Sequence, residues 1–179
     1  MTQTYMSREL LIIADGDDIR DLAGDLPGVR LIHVSEQRPI GSKRNFGCSR
    51  ARGEIVCHFD DDDFSAPGRM EAQVAALEAH PAKSVTGFHS MKFTDGMQWW
   101  KYSGALNYAL GTSLCYRRAW QQAHPFPAVQ VGEDNGFVGA AWALNELHTD
   151  DARELMHATI HGGNTSPRTM GSAWTRIAA

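Results

Sequence analysis

Cysteine is scarce in this 179-residue chain, with three residues at positions 48, 57 and 115, an odd number and no Cys-x-x-Cys pair. That pattern argues against a disulfide framework or a structural zinc site, and it fits reduced thiols in a cytoplasmic setting. Long apolar runs are also missing. Nothing approaches the roughly 20 residues that a membrane-spanning helix needs. The run ELLIIA at Glu9–Ala14 is too short for the core of a signal peptide and leads straight into acidic residues. There is no block of basic residues, and the formal net charge is -4. Nonspecific binding along a nucleic-acid backbone is therefore disfavoured. No internal repeat or low-complexity segment stands out. What remains is a globular mixture, 42% apolar and 21% charged, at a length ordinary for one domain with a real core.

The elements alternate. ELLIIAD (Glu9–Asp15) reads as a buried strand, and DDIRDLAGDLPG (Asp17–Gly28) as a short helix ended by a Pro-Gly break. VRLIHV (Val29–Val34) is a second strand. GSKRNFGCSRARG (Gly41–Gly53) suits a helix with Gly53 as a left-handed stop, and EIVCHFD (Glu54–Asp60) a third strand. Ser65 is a candidate N-cap, Pro67 fits a first helical turn, and Met70, Val74 and Leu77 form a helical stripe. This order predicts a parallel sheet with covering helices and right-handed connections. Ligands then belong outside the carboxyl ends of the strands. Asp15, Ser35-Glu36 and Asp60–Asp63 all fall on that edge.

The second half reads differently. An alternating stretch around Asp95-Gly96 predicts a hairpin, and TSLCYRR (Thr112–Arg118) another strand. GEDNGFVGAAWALNE (Gly132–Glu146) predicts a helix with acids at its positive end. ELMHATIHGGNTSP (Glu154–Pro167) predicts a strand running into a Gly-rich loop, followed by an irregular tail.

The stretch CHFDDDDFSAPGRM places four aspartates between a strand and a helix. In an extended strand end, Asp60 and Asp62 point the same way, and two carboxylates on one face repel unless a proton or cation intervenes. Mg²⁺ and Mn²⁺ take hard oxygen ligands, typically one or two carboxylates plus substrate phosphates. The alternative is a solvated acidic loop that caps the following helix. Trp99 and Trp100 offer faces for ring stacking, as an acceptor wall or as hairpin packing. Lys43 and Arg44 suit a phosphate contact or a charge pair on a helix surface.

IGSKRNFGCSRARGEIVCHFDDDDFSAPGRM (Ile40–Met70) resembles the central signature of family 2 glycosyltransferases, which have the GT-A fold. RELLIIADG (Arg8–Gly16) resembles the family's second strand and acidic turn, and GEDNGF (Gly132–Phe137) its later Glu-Asp motif. The resemblance runs from about Gln3 to about Ser166. It implies an α/β, GT-A-like domain over residues 1–179, with a mostly parallel Rossmann-type sheet flanked by helices and an antiparallel hairpin in the C-terminal half. Residues 1–80 would be the nucleotide-binding half, 81–167 the acceptor and catalytic half, and 168–179 a tail.

The same resemblance implies inverting, metal-dependent transfer from a nucleotide-sugar, commonly a UDP-sugar, to a hydroxyl acceptor. Asp15 would contact the base or ribose of the donor, and Arg44 would lie near the nucleotide. Asp60 would approach the ribose or the metal, and Asp62 would hold Mn²⁺ or Mg²⁺ directly. Asp134 would be the general base, with Glu133 beside it contacting the acceptor; helix capping is the alternative for both. His161 would complete the metal shell or serve as an ordinary loop histidine. The chain opens at MTQTYMSRELL, where the family has already passed a first strand and helix. The expectation is that the flanking strands close up, or that a homodimer or second chain completes the sheet. A catalytically silent GT-A-like binding or assembly module stays open beside the enzyme. A nucleotidyltransferase ranks below both, for want of a Gly-rich, lysine-bearing phosphate loop.

Overall fold

A computed structural model describes residues 2–16, 19–23, 27–165 and 170–178. In chain order the elements are β1 (Leu10–Asp15), α1 (Arg20–Ala23), β2 (Val29–Val34), α2 (Ile40–Arg50), β3 (Ile55–Cys57), β4 (Phe64–Ser65), α3 (Arg69–Ala79) and β5 (Val85–Thr94). There follow β6 (Trp99–Ser103), a 3-10 turn at Gly111–Ser113, β7 (Cys115–Arg117), α4 (Arg118–Ala123), α5 (Glu133–Ala143), β8 (Leu147–Asp151), β9 (Met156–Thr159) and β10 (Trp174–Ile177). Among the described residues no helix is long and apolar enough to cross a membrane.

The strands form two sheets. β1 and β2 pair in parallel, from Leu10 opposite Val29 to Asp15 opposite Val34, as a sheet of their own. The other eight form one sheet built around β5, whose ten residues are almost all buried. β7 and β6 run antiparallel along one side of β5, and β8 and β9 run parallel along the other. β3 adds antiparallel to β7, β10 to β6 and β4 to β9. The result is a curled, mixed α/β sheet with helices. The expected parallel pairing is confined to β1–β2 and to the β5 contacts with β8 and β9. The Asp95-Gly96 hairpin is present between β5 and β6.

Neither closure of the N-terminal strands nor a shared parallel sheet with β3 is seen. β1 bonds only β2, and β3 bonds only β7, so each strand keeps one hydrogen-bonding edge without a strand partner among the described residues. Other expectations also change. The tail carries β10, which pairs with β6 from Trp174 opposite Tyr102 to Ile177 opposite Trp99. Gly53 is no left-handed stop, because α2 ends at Arg50 with an extended Ala51. Ser65 lies in β4, and α3 begins after Gly68 without a side-chain cap. The helix read over Asp17–Gly28 appears as α1; residues 17, 18 and 24–26 lie outside the described residues, as do Ser166–Thr169 of the loop and tail.

Helix α5 presents Phe137, Val138 and Ala141 to a cluster with Val85, Leu114, Tyr116, Trp120, Phe126 and Leu147. Phe126 and Phe137 stack at 4.0 Å. Burying side chains of this kind stabilises by roughly 1.5–3 kcal/mol each, which seats α5 firmly. A second cluster, with Phe88, Met91, Phe93, Leu110, Met156 and Ala158, fills the other end of β5. Asn45 joins α2 to the segment before α5. Its amide donates to Phe126 O at 2.8 Å, and its oxygen accepts from Phe126 N and the Gln121 amide.

At the start of α2 the backbone of Gly41 lies against Pro127. A Cβ at position 41 would stand 1.8 Å from Pro127 O, a rigid backbone atom. Gly41→Ala is therefore expected to cost roughly 3 kcal/mol, read as a lower urea midpoint at an unchanged m-value. A loss within about 0.5 kcal/mol would show that the two segments separate freely.

Candidate active site

Strand β3 ends at Cys57, three residues short of Asp60, so the aspartates sit on a turn and not on a strand end. The turn brings one oxygen each of Asp60, Asp62 and Asp63 within 4.8 Å of one another. It is held from below by Arg69, which is fully buried. The guanidinium donates to His58 O at 2.8 Å, Thr112 O at 3.1 Å, Ser65 Oγ at 2.7 Å and Gln73 Oε1 at 3.1 Å, and it lies over the Phe59 ring.

Each aspartate has its own setting. Asp63 accepts from the Thr112 hydroxyl and from Thr159 N. Burial pushes its pKa up against these bonds, and the neighbouring Asp60 and Asp62 charges add to the rise. Asp62 is exposed, and its Oδ2 lies 2.7 Å from His161 Nε2 and 3.4 Å from the Asn164 amide. Gly163 N donates to His161 Nδ1, which puts the ring proton on Nε2, facing Asp62. The acidic groups are hard oxygen donors converging on one point, and the donor set fits Mg²⁺ or Mn²⁺.

The 3-10 turn couples this cluster to α5. Thr112 bonds Asp63, while the adjacent Gly111 lies so close to Asp134 that a Cβ there would meet Asp134 Oδ2 at 2.4 Å. Tyr108 donates to the same oxygen at 3.1 Å, and Asn135 N donates to Oδ1. Neither acid caps α5 from the N-cap position, which belongs to Gly132 at φ 83°. Glu133 turns inward instead and is 6% exposed. Its carboxylate lies 3.0 Å from an Arg44 nitrogen that is not aligned to donate, so the contact is an ion pair without a good hydrogen bond. Burial raises the Glu133 pKa, Arg44 opposes the rise, and Asp134 and Asp60 add to it.

The other expected residues fall in separate places. Asp15 is bound by the Lys43 ammonium and by Arg38 N at 3.0 Å. Burial alone would raise its pKa, but these two partners outweigh burial and hold it low. Arg44 faces Glu133 and the Phe126 ring. Trp99 and Trp100 are consecutive on β6 and so point to opposite faces. Trp99 meets the His157 ring edge-on at 4.9 Å, whereas Trp100 lies across from Phe93 in the ladder. Residues that sequence reasoning passed over include Asp63, Arg69, Tyr108, Thr112 and His58. Asp63 stood in the quoted run, but a strand reading of that run pointed it away.

The family model described as "Glycosyl transferase family 2" matches residues 1–131. The chain belongs to glycosyl transferase family 2. Curated relatives of this family 2 chain include a glucosyl-dolichyl phosphate glucuronosyltransferase of Haloferax volcanii, 33% identical over 92 residues, covering 49% of this chain and 29% of that protein. Another is the amylovoran biosynthesis glycosyltransferase AmsE of Erwinia amylovora, 27% identical over 100 residues, covering 52% and 37%. The fold is that of GT-A glycosyltransferases. It is similar to S. aureus TarS in complex with UDP-GlcNAc, with TM-score 0.73 and 18% identity over 92% of this chain and 53% of that one. It is also similar to the mannosyltransferase PcManGT from Pyrobaculum calidifontis in complex with GDP-Man and Mn2+, with TM-score 0.66 and 17% identity, covering 89% and 50%. The family 2 chain thus spans about a third of these curated relatives and about half of these solved structures.

Behind the acidic turn, His58 joins Gly111 O at 3.2 Å to the Tyr116 hydroxyl at 2.8 Å, and that hydroxyl meets Cys48 Sγ at 3.1 Å. Burial first, and then Arg44, hold the His58 pKa well below its usual value, so the ring is neutral in the fold. Unfolded histidine titrates at about 6.5. The unfolded chain therefore binds the extra proton first, and stability should fall as pH drops below that value, by about 1.4 kcal/mol per pH unit. His58→Gln is expected to flatten this part of the profile in thermal melts between pH 7 and pH 5. A variant profile parallel to that of the unsubstituted chain would place the titrating group elsewhere.

Proposed function

We propose that this chain transfers a sugar from a nucleotide-sugar, most simply a UDP-sugar, to a hydroxyl acceptor with inversion at the anomeric carbon. The observation that carries the reading is the Gly111-Thr112 turn, which touches Asp134 with one residue and the Asp60–Asp63 cluster with the next. A base and an acidic cation site are thereby held at a fixed separation. Asp60, Asp62 and Asp63 would hold the Mn²⁺ or Mg²⁺ ion, with Asp60 also near the ribose; His161, whose Nε2 lies 2.7 Å from Asp62, would stand beside them as a further ligand. Bound there, the ion would supply a Lewis acid for charge building on the departing diphosphate.

Asp134 takes the proton of the acceptor hydroxyl. The acceptor oxygen bonds the anomeric carbon on one face while the bond to the diphosphate oxygen breaks on the other, so one base suffices. Tyr108 and Asn135 N fix the carboxylate for that role. Glu133 and Arg44 act as an inward pair that anchors α5 beneath the base, and Arg44 would lie near the nucleotide. Asp15, oriented by Lys43, supplies an acceptor for the base or ribose. Trp99 and Trp100 remain acceptor candidates, one for each face of β6.

The test is paired. Asp134→Asn should lower turnover by roughly 10²–10⁴-fold while leaving Mn²⁺-dependent UDP binding nearly intact, because a base acts in the transition state. Asp62→Asn should weaken that binding in titration calorimetry. UDP binding that is equal in EDTA and in Mn²⁺ would overturn the metal assignment. Equal losses of binding and turnover in Asp134→Asn would make that residue structural.

The open edges of β1 and β3 favour a partner strand, and a second copy of the chain is the simplest source. Light scattering at micromolar concentration should then give twice the 19.7 kDa chain mass. A monomer at that concentration would defeat the homodimer.

A further inference from the structure

Two of the three widely spaced cysteines meet in the fold. Cys57 closes β3 and Cys115 opens β7, and the two stand directly opposite in the antiparallel ladder with their sulfurs 2.8 Å apart. Backbone bonds from His58 N to Leu114 O and from Arg118 N to Glu54 O flank them. Hydrogen-bonded pairs alternate along such a ladder, so 58/114 and 54/118 are bonded pairs and 57/115 is a non-bonded one. Non-bonded pairs bring Cα atoms to about 4.5 Å, with side chains closest. That lies inside the roughly 4.4–6.8 Å range that a disulfide spans. The third cysteine, Cys48, is occupied with the Tyr116 hydroxyl.

We propose that Cys57 and Cys115 are an oxidation site, closing a disulfide that staples β3 to β7 beneath the acidic turn. The proposal is independent of the glycosyltransferase reading. Cys57 is half-buried and Cys115 fully buried, so Cys57 meets the oxidant and Cys115 resolves it. Burial pushes the Cys115 thiol well up, which also leaves the first attack to Cys57. With a small disulfide such as oxidised glutathione, the Cys57 thiolate attacks one sulfur and expels one glutathione thiolate. Cys115 then attacks the Cys57 sulfur, and its proton passes to the second glutathione thiolate as that thiolate leaves. Two protein thiols and one glutathione disulfide become one protein disulfide and two glutathione thiols.

The full chain is equilibrated in buffers from fully reduced to fully oxidised glutathione. Free thiols are then alkylated, and the protein is digested and weighed. The expected result is a Cys57–Cys115 linked peptide in monomeric protein with Cys48 alkylated, unchanged in Cys48→Ser and lost in Cys57→Ser. Closing a loop of this length should raise Tm by on the order of 5–10 °C. Recovery of Cys57 and Cys115 as separate alkylated peptides, or of Cys57 held as a glutathione adduct, would overturn the proposal. A linked protein with an unchanged or lower Tm would overturn the staple, because it would mean that the bond distorts the ladder.

Discussion

Arg69 sits with no exposed surface, and its guanidinium donates to the backbone oxygens of His58 and Thr112 and to the side chains of Ser65 and Gln73. A buried cation is costly unless its donors are satisfied. Here the acceptors are His58 O, at the root of the turn, and Thr112 O, on the 3-10 turn that touches Asp134. The group also places a positive charge under Asp60 and Asp63, whose charges oppose the burial that lowers its pKa. One side chain on α3 therefore sets the height of the aspartates and their distance from α5.

The aspartates in turn are gathered against their own repulsion. Asp63 is the most buried of the cluster, and its pKa is pushed up by that burial and by its two neighbours. The Thr112 hydroxyl and Thr159 N–H offset part of that cost, and an added cation would offset more. Glu133 shows the same arrangement on a smaller scale, a buried acid kept in place by Arg44. The chemistry of the site rests on charges that the fold holds closer than water alone would allow.

The sheets distribute these parts. β5 is long enough to pair along both sides, so β8 and β9 on one side and β6 and β7 on the other are registered to a single strand. β9 delivers Thr159 to the turn, and the loop beyond it delivers His161. The β1–β2 pair stands apart from this sheet, attached through α2 and through Glu9, which accepts from Arg52 N and Arg30. A two-stranded sheet is marginal by itself, and β1 and β3 each keep one edge without a strand partner among the described residues.

The amino-acid sequence by itself determined the local elements and the chemistry-bearing types. Apolar runs marked β1, β2 and β3, a helical stripe marked α3, acids at a helix start marked α5, and the four aspartates announced a cation-sized cluster of oxygens. These signals are short-range and periodic. Strand partners are not, because an edge looks the same whatever pairs with it, and β3 proved to be bonded to β7 and not to β1. β8 was not recognised because LHTDD carries no apolar alternation, and its place comes from β5. Only the tertiary structure decided that Asp63 joins Asp60 and Asp62, that His161 reaches Asp62 across 99 residues, that Glu133 points inward to Arg44, and that Cys57 meets Cys115. Each is a contact between groups far apart along the chain, and its distance is set by the packing of β5, α3 and α5 between them.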